Sequence, residues 1–187
     1  MRLTHLSARD YKRMSWKNGG GITTELLLEP KEDGTALWRL SIAEVTKSGP
    51  FSDFSGYART IMLIDGPGFV LEFEGHPTRR LDRRYEPYPF DGGWKTDCTL
   101  IDGPVRDFNL MASRAAGPAS LTVAKVERGG ILVDAAKTVV FHVLEGDAAV
   151  SGHDVPQGDT LRIDAPILPL SLDARESAVV AVIRIGD

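Results

Sequence analysis

The sequence is poor in residues and segments on which several classes of protein depend. It has a single cysteine, Cys98, among 187 residues, which excludes an internal disulfide and is typical of a reducing compartment. It has no apolar run of about 18 residues, so it contains no transmembrane helix. Its first residues lack the apolar stretch of a signal peptide. We therefore expect a cytoplasmic protein without membrane contact.

Signatures of common catalytic centres are also missing. A metal site needs several nitrogen, oxygen or sulfur ligands at fixed geometry, and no such cluster is present. The glycines at 19–21 are not followed by the Lys-Ser/Thr of a P-loop. The net charge of −4 argues against a nucleic-acid partner. We predict no metal and no cofactor. The chain has four histidines, none of them in a His-x-His pair: His5, His76, His142 and His153.

The chain does contain many short strand patterns separated by turns rich in glycine and proline. Alternating or β-branched apolar residues recur along its whole length, and no segment favours a helix longer than two turns. This predicts an all-β fold, either a sandwich, a jelly roll or a barrel. The clearest strand patterns lie at 37–45, 60–66, 69–75, 120–126, 138–144 and 178–183.

Two of these patterns resemble each other. In each, a β-branched run ends in an acidic residue and a glycine, Asp65-Gly66 and Glu145-Gly146, after which we expect the chain to reverse. The repeat is far too long for a solenoid and indicates two similar β halves. The segment 76–93, which carries two pairs of adjacent arginines, has no regular pattern. It is either a solvated basic loop or a rim that attracts anions.

The stretch 15–26 combines an indole, a cation and an amide with three glycines and two threonines. Three successive glycines are costly to order, so they often mark a backbone with positive φ or a very close contact. One interpretation is a solvated turn between strands. The other is a rigid lip over a pocket, with Trp16 as a wall, Lys17 as a charge, and Asn18 and Thr23 as hydrogen-bonding groups.

Other candidate residues also have two interpretations. In 37–45 the larger apolar set should face the core, which leaves Arg39 and Ser41 facing either water or a pocket. The aromatic residues of the loop 47–57 either fill a core or line a site. Asp107 and Asn109 share one face of a strand, where they either cap the preceding turn or serve a site.

Four segments together resemble the HutD/Ves family. The resemblance implies a bicupin, two fused jelly-roll barrels with approximate halves 1–112 and 113–187. It also implies a cytoplasmic protein linked to histidine utilisation that senses or binds a pathway intermediate, with formylglutamate and urocanate as candidates. The segments are WKNGGGITTE at 16–25, RLSIAEV at 39–45, SGPFSDFSGYART at 48–60 and DGPVRDFNLM at 102–111.

A small carboxylate ligand needs a forked cation, neutral donors and an apolar wall. Arg39 or Arg59 could supply the fork, and Lys17 a second positive charge. An affinity on the order of micromolar would follow. The predicted ligand-binding residues are Trp16, Lys17, Asn18, Gly20, Thr23, Arg39, Ser41, Phe51, Ser52, Arg59, Asp107 and Asn109.

Three functions compete at this point. The first is a carboxylate-binding regulatory protein without turnover. The second is a metal-independent isomerase, hydrolase or lyase that uses acid–base catalysis. The third is an interaction protein, a homodimer in which the apolar strand 178–183 pairs edge to edge. The candidate bases for the second are Glu25, Glu44, Asp102 and Asp107.

Overall fold

Strands account for nearly all of the regular structure. The structure, a computed structural model, describes residues 1–186. In that range the only helix is one 3-10 turn at Arg114–Ala116, and no helix is long and apolar enough to span a membrane. The predicted all-β fold is therefore confirmed. The strands are β1 (Arg2–Leu6), β2 (Lys12–Ser15), β3 (Gly21–Pro30), β4 (Ala36–Val45), β5 (Gly49–Pro50), β6 (Tyr57–Asp65), β7 (Phe69–Phe73), β8 (Arg79–Leu81), β9 (Tyr88–Asp91), β10 (Thr96–Leu100), β11 (Val105–Ser113), β12 (Ala119–Glu127), β13 (Ile131–Val133), β14 (Thr138–Val150), β15 (His153–Val155), β16 (Thr160–Asp164) and β17 (Leu170–Ile185).

The chain forms two compact units. One is Lys12–Ala115; the other combines Met1–Tyr11 with the chain from Ala116 onward. The first residues join the later unit because β1 pairs antiparallel with β16. We call the units the central unit and the terminal unit. The division of the chain into two cupin domains, with halves 1–112 and 113–187, stays a prediction.

The central unit is built from two facing sheets. One has six strands in the order β2-β3-β4-β11-β6-β9, and the other has four in the order β5-β10-β7-β8. Apolar residues from both sheets share one core, as in other face-to-face sheet packings. The core includes Ala43, Val45, Ile61, Leu63, Phe90 and Val105 from the first sheet, and Phe69, Leu71, Phe73, Leu81 and Cys98 from the second.

The turn after Asp65 does not form the hairpin that its sequence suggests. It carries the chain from β6 in the six-stranded sheet to β7 in the four-stranded sheet. Gly66 and Gly68 have φ values of 93° and 116°. A Cβ on Gly66 would lie 2.5 Å from the Pro104 carbonyl oxygen, so only glycine fits at this change of sheet.

The terminal unit is one seven-stranded sheet around its own core. The main order is β1-β16-β14-β17-β12, with β13 on β17 and β15 on β14. The expected reversal at Glu145-Gly146 is wrong, because β14 continues through both residues to Val150. The glycine instead lies at an irregularity in the β14–β17 register, where its φ of 71° suits a β-bulge.

The predicted edge-to-edge pairing through 178–183 is also wrong. That segment is part of β17, which is hydrogen-bonded on one side to β14 and on the other to β12. Its backbone groups are therefore already paired within the chain, and no edge remains there for a second subunit.

The segment 76–93 is more regular than the sequence indicates, since it contains β8 and β9. Its charged side chains are mostly exposed, which agrees with a solvated surface. Arg80 pairs with Asp82 and Arg83 with Glu86.

Two glycines of the terminal unit allow the cost of backbone strain to be distinguished from the cost of a steric clash. Gly146 and Gly152 both have positive φ, 71° and 81°. A Cβ on Gly146 would lie 2.2 Å from the Ser177 carbonyl oxygen, whereas one on Gly152 would meet nothing within 4 Å. We expect Gly152→Ala to cost about 1 kcal/mol and Gly146→Ala at least about 2 kcal/mol more, measured by urea unfolding. Equal costs would contradict the bulge geometry.

Candidate functional site

A cavity of about 460 Å³ opens in the central unit. Eleven of the twelve sequence-predicted ligand residues line it; Gly20 does not. Lys17, Asn18 and Ser52 are exposed at this site, whereas Ser41, Arg59, Asp107 and Asn109 are buried. Their role in binding stays a prediction, but the structure brings them to one place. The lining is Ser15, Trp16, Lys17, Asn18, Thr23, Arg39, Ser41, Ala43, Val45, Pro50, Phe51, Ser52, Phe54, Arg59, Asp107, Asn109 and Met111.

The strand register explains why distant residues meet here. Alternate side chains of a strand share one face, which places Asp107 and Asn109 together on β11. Asn109 lies opposite Ser41 of β4, and Met111 lies between Arg39 of β4 and Arg59 of β6. The floor of the cavity is therefore one face of three adjacent strands.

β4 is buried on both faces. Trp38, Leu40 and Ile42 are buried, as the larger apolar set predicts. Arg39 and Ser41, on the alternate face, line the cavity. The choice that the sequence left open, between water and a pocket, is thus settled in favour of the pocket.

The glycine-rich bend forms a fixed lip beside the cavity. The Trp16 indole N–H donates to Thr23 Oγ1 at 2.7 Å. The Gly20 N–H donates to Asn18 Oδ1 at 2.9 Å, and the Gly20 carbonyl accepts from the Thr46 N–H at 2.9 Å. Gly20 thus supports the bend through its backbone.

Gly21 is held close to the indole ring. A Cβ at this position would lie 2.5 Å from the Glu44 carbonyl oxygen and 3.1 Å from the Trp16 ring. Only glycine allows the indole and the neighbouring strand to approach this closely. The ring also packs against the central-unit core, so the bend is not a simple solvated turn.

Arg59 is the most unusual side chain of the site. Its guanidinium carbon lies 5.3, 5.1 and 4.8 Å from the ring centroids of Phe51, Phe54 and Phe90. These are cation–π distances. Phe51 and Phe54 therefore line the site and face its cation, although Phe51 also packs against the central-unit core. Tyr57 does not line the cavity and donates to the Ala36 carbonyl instead.

The Arg59 guanidinium is buried and sparsely bonded. The residue is 6% exposed, and Nη2 donates to Asn109 Oδ1 at 2.9 Å. Its buried Nε has no hydrogen-bond partner in the described part of the chain. Burial lowers the pKa of Arg59 to about 10, so the group still carries its charge at neutral pH.

The Arg39 guanidinium is less available to bind a ligand carboxylate. Its Nε donates to Glu25 Oε2 at 2.8 Å, and both side chains are largely shielded from solvent. Glu25 is therefore an ion-pair partner within the protein. Of the two arginines that the sequence offered, Arg59 is the one without an ion-pair partner among the described residues.

Asp107 sits beside these cations with its side chain buried. The Asn109 amide nitrogen donates a hydrogen bond to Asp107 Oδ1. Burial raises the pKa of Asp107 from 3.8 to about 7, against the opposing effects of that hydrogen bond and of Arg59. Asp107 therefore holds its proton to a much higher pH than an exposed aspartate does.

The other two predicted catalytic bases lie outside the cavity. Glu44 pairs with Arg13 and is partly exposed, and Asp102 is exposed; neither lines the cavity.

Cys98 is buried, and burial raises the pKa of its thiol to about 12. Across residues 1–186 no three His, Cys, Asp or Glu side chains are placed to hold a metal ion.

Sequence reasoning missed several lining residues. Ala43 and Val45 continue the alternation of Arg39 and Ser41, and Met111 continues that of Asp107 and Asn109. Strand periodicity could have found all three. Phe90, which contacts Arg59 but does not line the cavity, could not have been found this way, because this contact depends on β9 pairing with β6.

Comparison with known proteins identifies the family of this chain. The HutD family model matches residues 8–181. This chain belongs to the HutD family. An uncharacterized 21.2 kDa protein in the hutC 3' region of Pseudomonas putida is 45% identical over 108 residues, 57% of this chain and 56% of that protein. The alignment thus spans little more than half of that relative. Protein Ves of Citrobacter koseri is 32% identical over 160 residues, 81% of this chain and 82% of that protein.

Solved structures show the same fold. HutD from Pseudomonas fluorescens SBW25 is 33% identical with a TM-score of 0.84, over 99% of this chain and 98% of that one. A conserved protein of unknown function from Pseudomonas aeruginosa PAO1 is 32% identical with a TM-score of 0.89, over 100% of both chains. A cupin barrel protein from Leptotrichia buccalis, 12% identical with a TM-score of 0.60 over 96% and 97% of the chains, shares the fold alone.

The Asp107 carboxyl should make stability depend on pH. Because its folded pKa of about 7 exceeds its ordinary 3.8, the folded chain holds a proton that the unfolded chain releases between these values. This group therefore lowers stability as pH rises from about 4 to 7, with a ceiling of about 4 kcal/mol. We expect the unfolding free energy of the wild type minus that of Asp107→Asn to fall over that range and level off above it.

The measurement is urea unfolding at a series of pH values. Asp102→Asn is the matched control, because it makes the same chemical change at an exposed position. A difference between wild type and Asp107→Asn that stays constant from pH 5 to 8 would contradict the raised pKa.

Proposed function

We propose that this HutD-family chain binds a small carboxylate metabolite in the central-unit cavity and acts as a regulator in histidine utilisation. Formylglutamate and urocanate are the candidate ligands. The observation that carries the proposal is the buried Arg59 guanidinium, which lines the cavity and donates a single hydrogen bond within the described residues. A buried guanidinium usually has a carboxylate partner, and Arg59 has none among the described residues.

The other lining groups suit the same ligand. Lys17 adds a positive charge at the bend, and Ser41, Ser52 and Asn18 add hydrogen-bonding groups. Trp16, with the phenyl rings of the loop, offers flat apolar surface to the remainder of the ligand. A cavity of about 460 Å³ falls in the range of small-molecule sites.

The family supplies the biological setting. The P. putida relative is named for its place in the hutC 3' region, and a solved relative is named HutD. A protein that binds a pathway intermediate without consuming it would report the level of that intermediate. The proposal includes a cytoplasmic location, where such metabolites occur.

Calorimetry with formylglutamate, urocanate, histidine and glutamate tests this proposal. We expect binding of at least one of the first two in the micromolar range. Arg59→Lys keeps the charge but loses the planar fork. Because a charge-assisted hydrogen bond contributes about 1.5–3 kcal/mol, the variant should bind about 10- to 100-fold more weakly.

Arg79→Lys is the matched control. Its guanidinium also lies over an aromatic ring, that of Tyr88 at 5.1 Å, but it is exposed and outside the cavity. Thermal unfolding checks that both variants fold. No heat with any of the four compounds at millimolar concentration would overturn the proposal, as would wild-type affinity in Arg59→Lys.

A metal-independent enzyme is the second candidate, and one observation favours it. Asp107 lines the cavity with a pKa of about 7, which suits a general acid or base at neutral pH. The discriminating assay incubates each candidate ligand with purified protein for hours and follows its loss by chromatography. Loss that stops in Asp107→Asn would establish the enzyme; unchanged ligand would favour the regulator.

A further inference from the structure

We propose that Asp107 is a proton-carrying specificity residue of the carboxylate site: the ligand enters with one proton, which Asp107 holds and offers to a second acceptor on the ligand. This rests on the proposed function and refines the ligand class. It predicts a carboxylate with a second carboxylate or carbonyl oxygen, in preference to a simple monocarboxylate.

The first support is the direction of the hydrogen bonds around Asn109. Its amide oxygen accepts from Arg59 Nη2, and its amide nitrogen donates to Asp107 Oδ1. The amide therefore links the guanidinium to the carboxyl. No direct ion pair between Arg59 and Asp107 occurs among the described residues, so Arg59 acts on Asp107 through space and through the Asn109 amide.

The second support is the carboxyl oxygen of Asp107 that makes no hydrogen bond in the described chain. Asp107 is 2% exposed, and the bond from Asn109 is the one hydrogen bond it makes in the described chain. Its Oδ1 is engaged, which leaves Oδ2 as the natural position for the proton. A protonated carboxyl donates one hydrogen bond through its O–H, and Asp107 lines the cavity where a ligand acceptor would sit.

The third support is the balance of charge around this acid. Arg59 on β6 is the nearby cation that favours ionised Asp107. Arg39 on β4 is paired with Glu25, the Cys98 thiol on β10 stays neutral, and Lys17 is exposed at the bend. A carboxylate bound to Arg59 would offset the main favourable charge, and the neutral form of Asp107 would then dominate.

The consequence is measurable proton uptake from the buffer. Because a carboxylate bound at Arg59 favours the neutral form of Asp107, the ionised fraction of Asp107 should take up protons on binding, which gives an uptake of less than one proton per ligand at pH 7.5. Simple carboxylates do not titrate there, because their own pKa values lie near 4. Urocanate is unsuitable for the count, since its imidazole can contribute protons of its own.

The test is calorimetry of the whole chain with formylglutamate and with formate at pH 7.5, in HEPES and in Tris. These buffers differ in ionisation enthalpy, so the difference in heat gives the number of protons taken up. We expect uptake of a measurable fraction of one proton per formylglutamate with the wild type and with the control Asp102→Asn, and no uptake with Asp107→Asn. We also expect the ratio of the formate Kd to the formylglutamate Kd to be at least about twofold smaller in Asp107→Asn than in the wild type.

The outcomes separate this inference from the proposed function. Binding of formylglutamate to the wild type without proton uptake would overturn the inference and leave carboxylate binding intact. Uptake that persists in Asp107→Asn would assign the proton to another group and also overturn it. Absence of any binding would overturn the proposed function, and this inference with it.

Discussion

The burial of one positive charge is the constraint on which the site depends. Removing a guanidinium from water is costly unless other groups replace its hydration. Around Arg59 these groups are three aromatic rings and the Asn109 amide oxygen. They hold the cation in place but leave most of its hydrogen-bonding capacity unused. An anionic ligand is the chemical partner that would complete this arrangement.

The fold makes this arrangement rigid. Arg59, Asn109 and Asp107 project from neighbouring strands of one sheet, so their spacing is set by backbone hydrogen bonds rather than by a loop. The glycine-rich bend is fixed in turn, because the Trp16 indole is bonded to Thr23 and lies against Gly21. The cavity is thus largely formed before any ligand arrives, which reduces the ordering cost of binding.

Local patterns predicted much of this. Alternation placed Asp107 beside Asn109 and separated Arg39 from the larger apolar residues of its strand, because both follow from the two-residue period of a strand. The Trp-Lys-Asn-Gly-Gly-Gly stretch marked the bend. Pairing between distant strands was not predictable: it decides that Glu25 engages Arg39, that β6 and β7 belong to different sheets, and that Gly146 forms a bulge instead of a turn.

A crystal structure of the chain with formylglutamate tests most directly whether a ligand carboxylate binds the buried Arg59 guanidinium. We expect that carboxylate within hydrogen-bond distance of the Arg59 guanidinium, between the phenyl rings and the Trp16 lip. A ligand bound at another surface, or a cavity that holds only water at saturating formylglutamate while Arg59 keeps its single bond to Asn109, would contradict it.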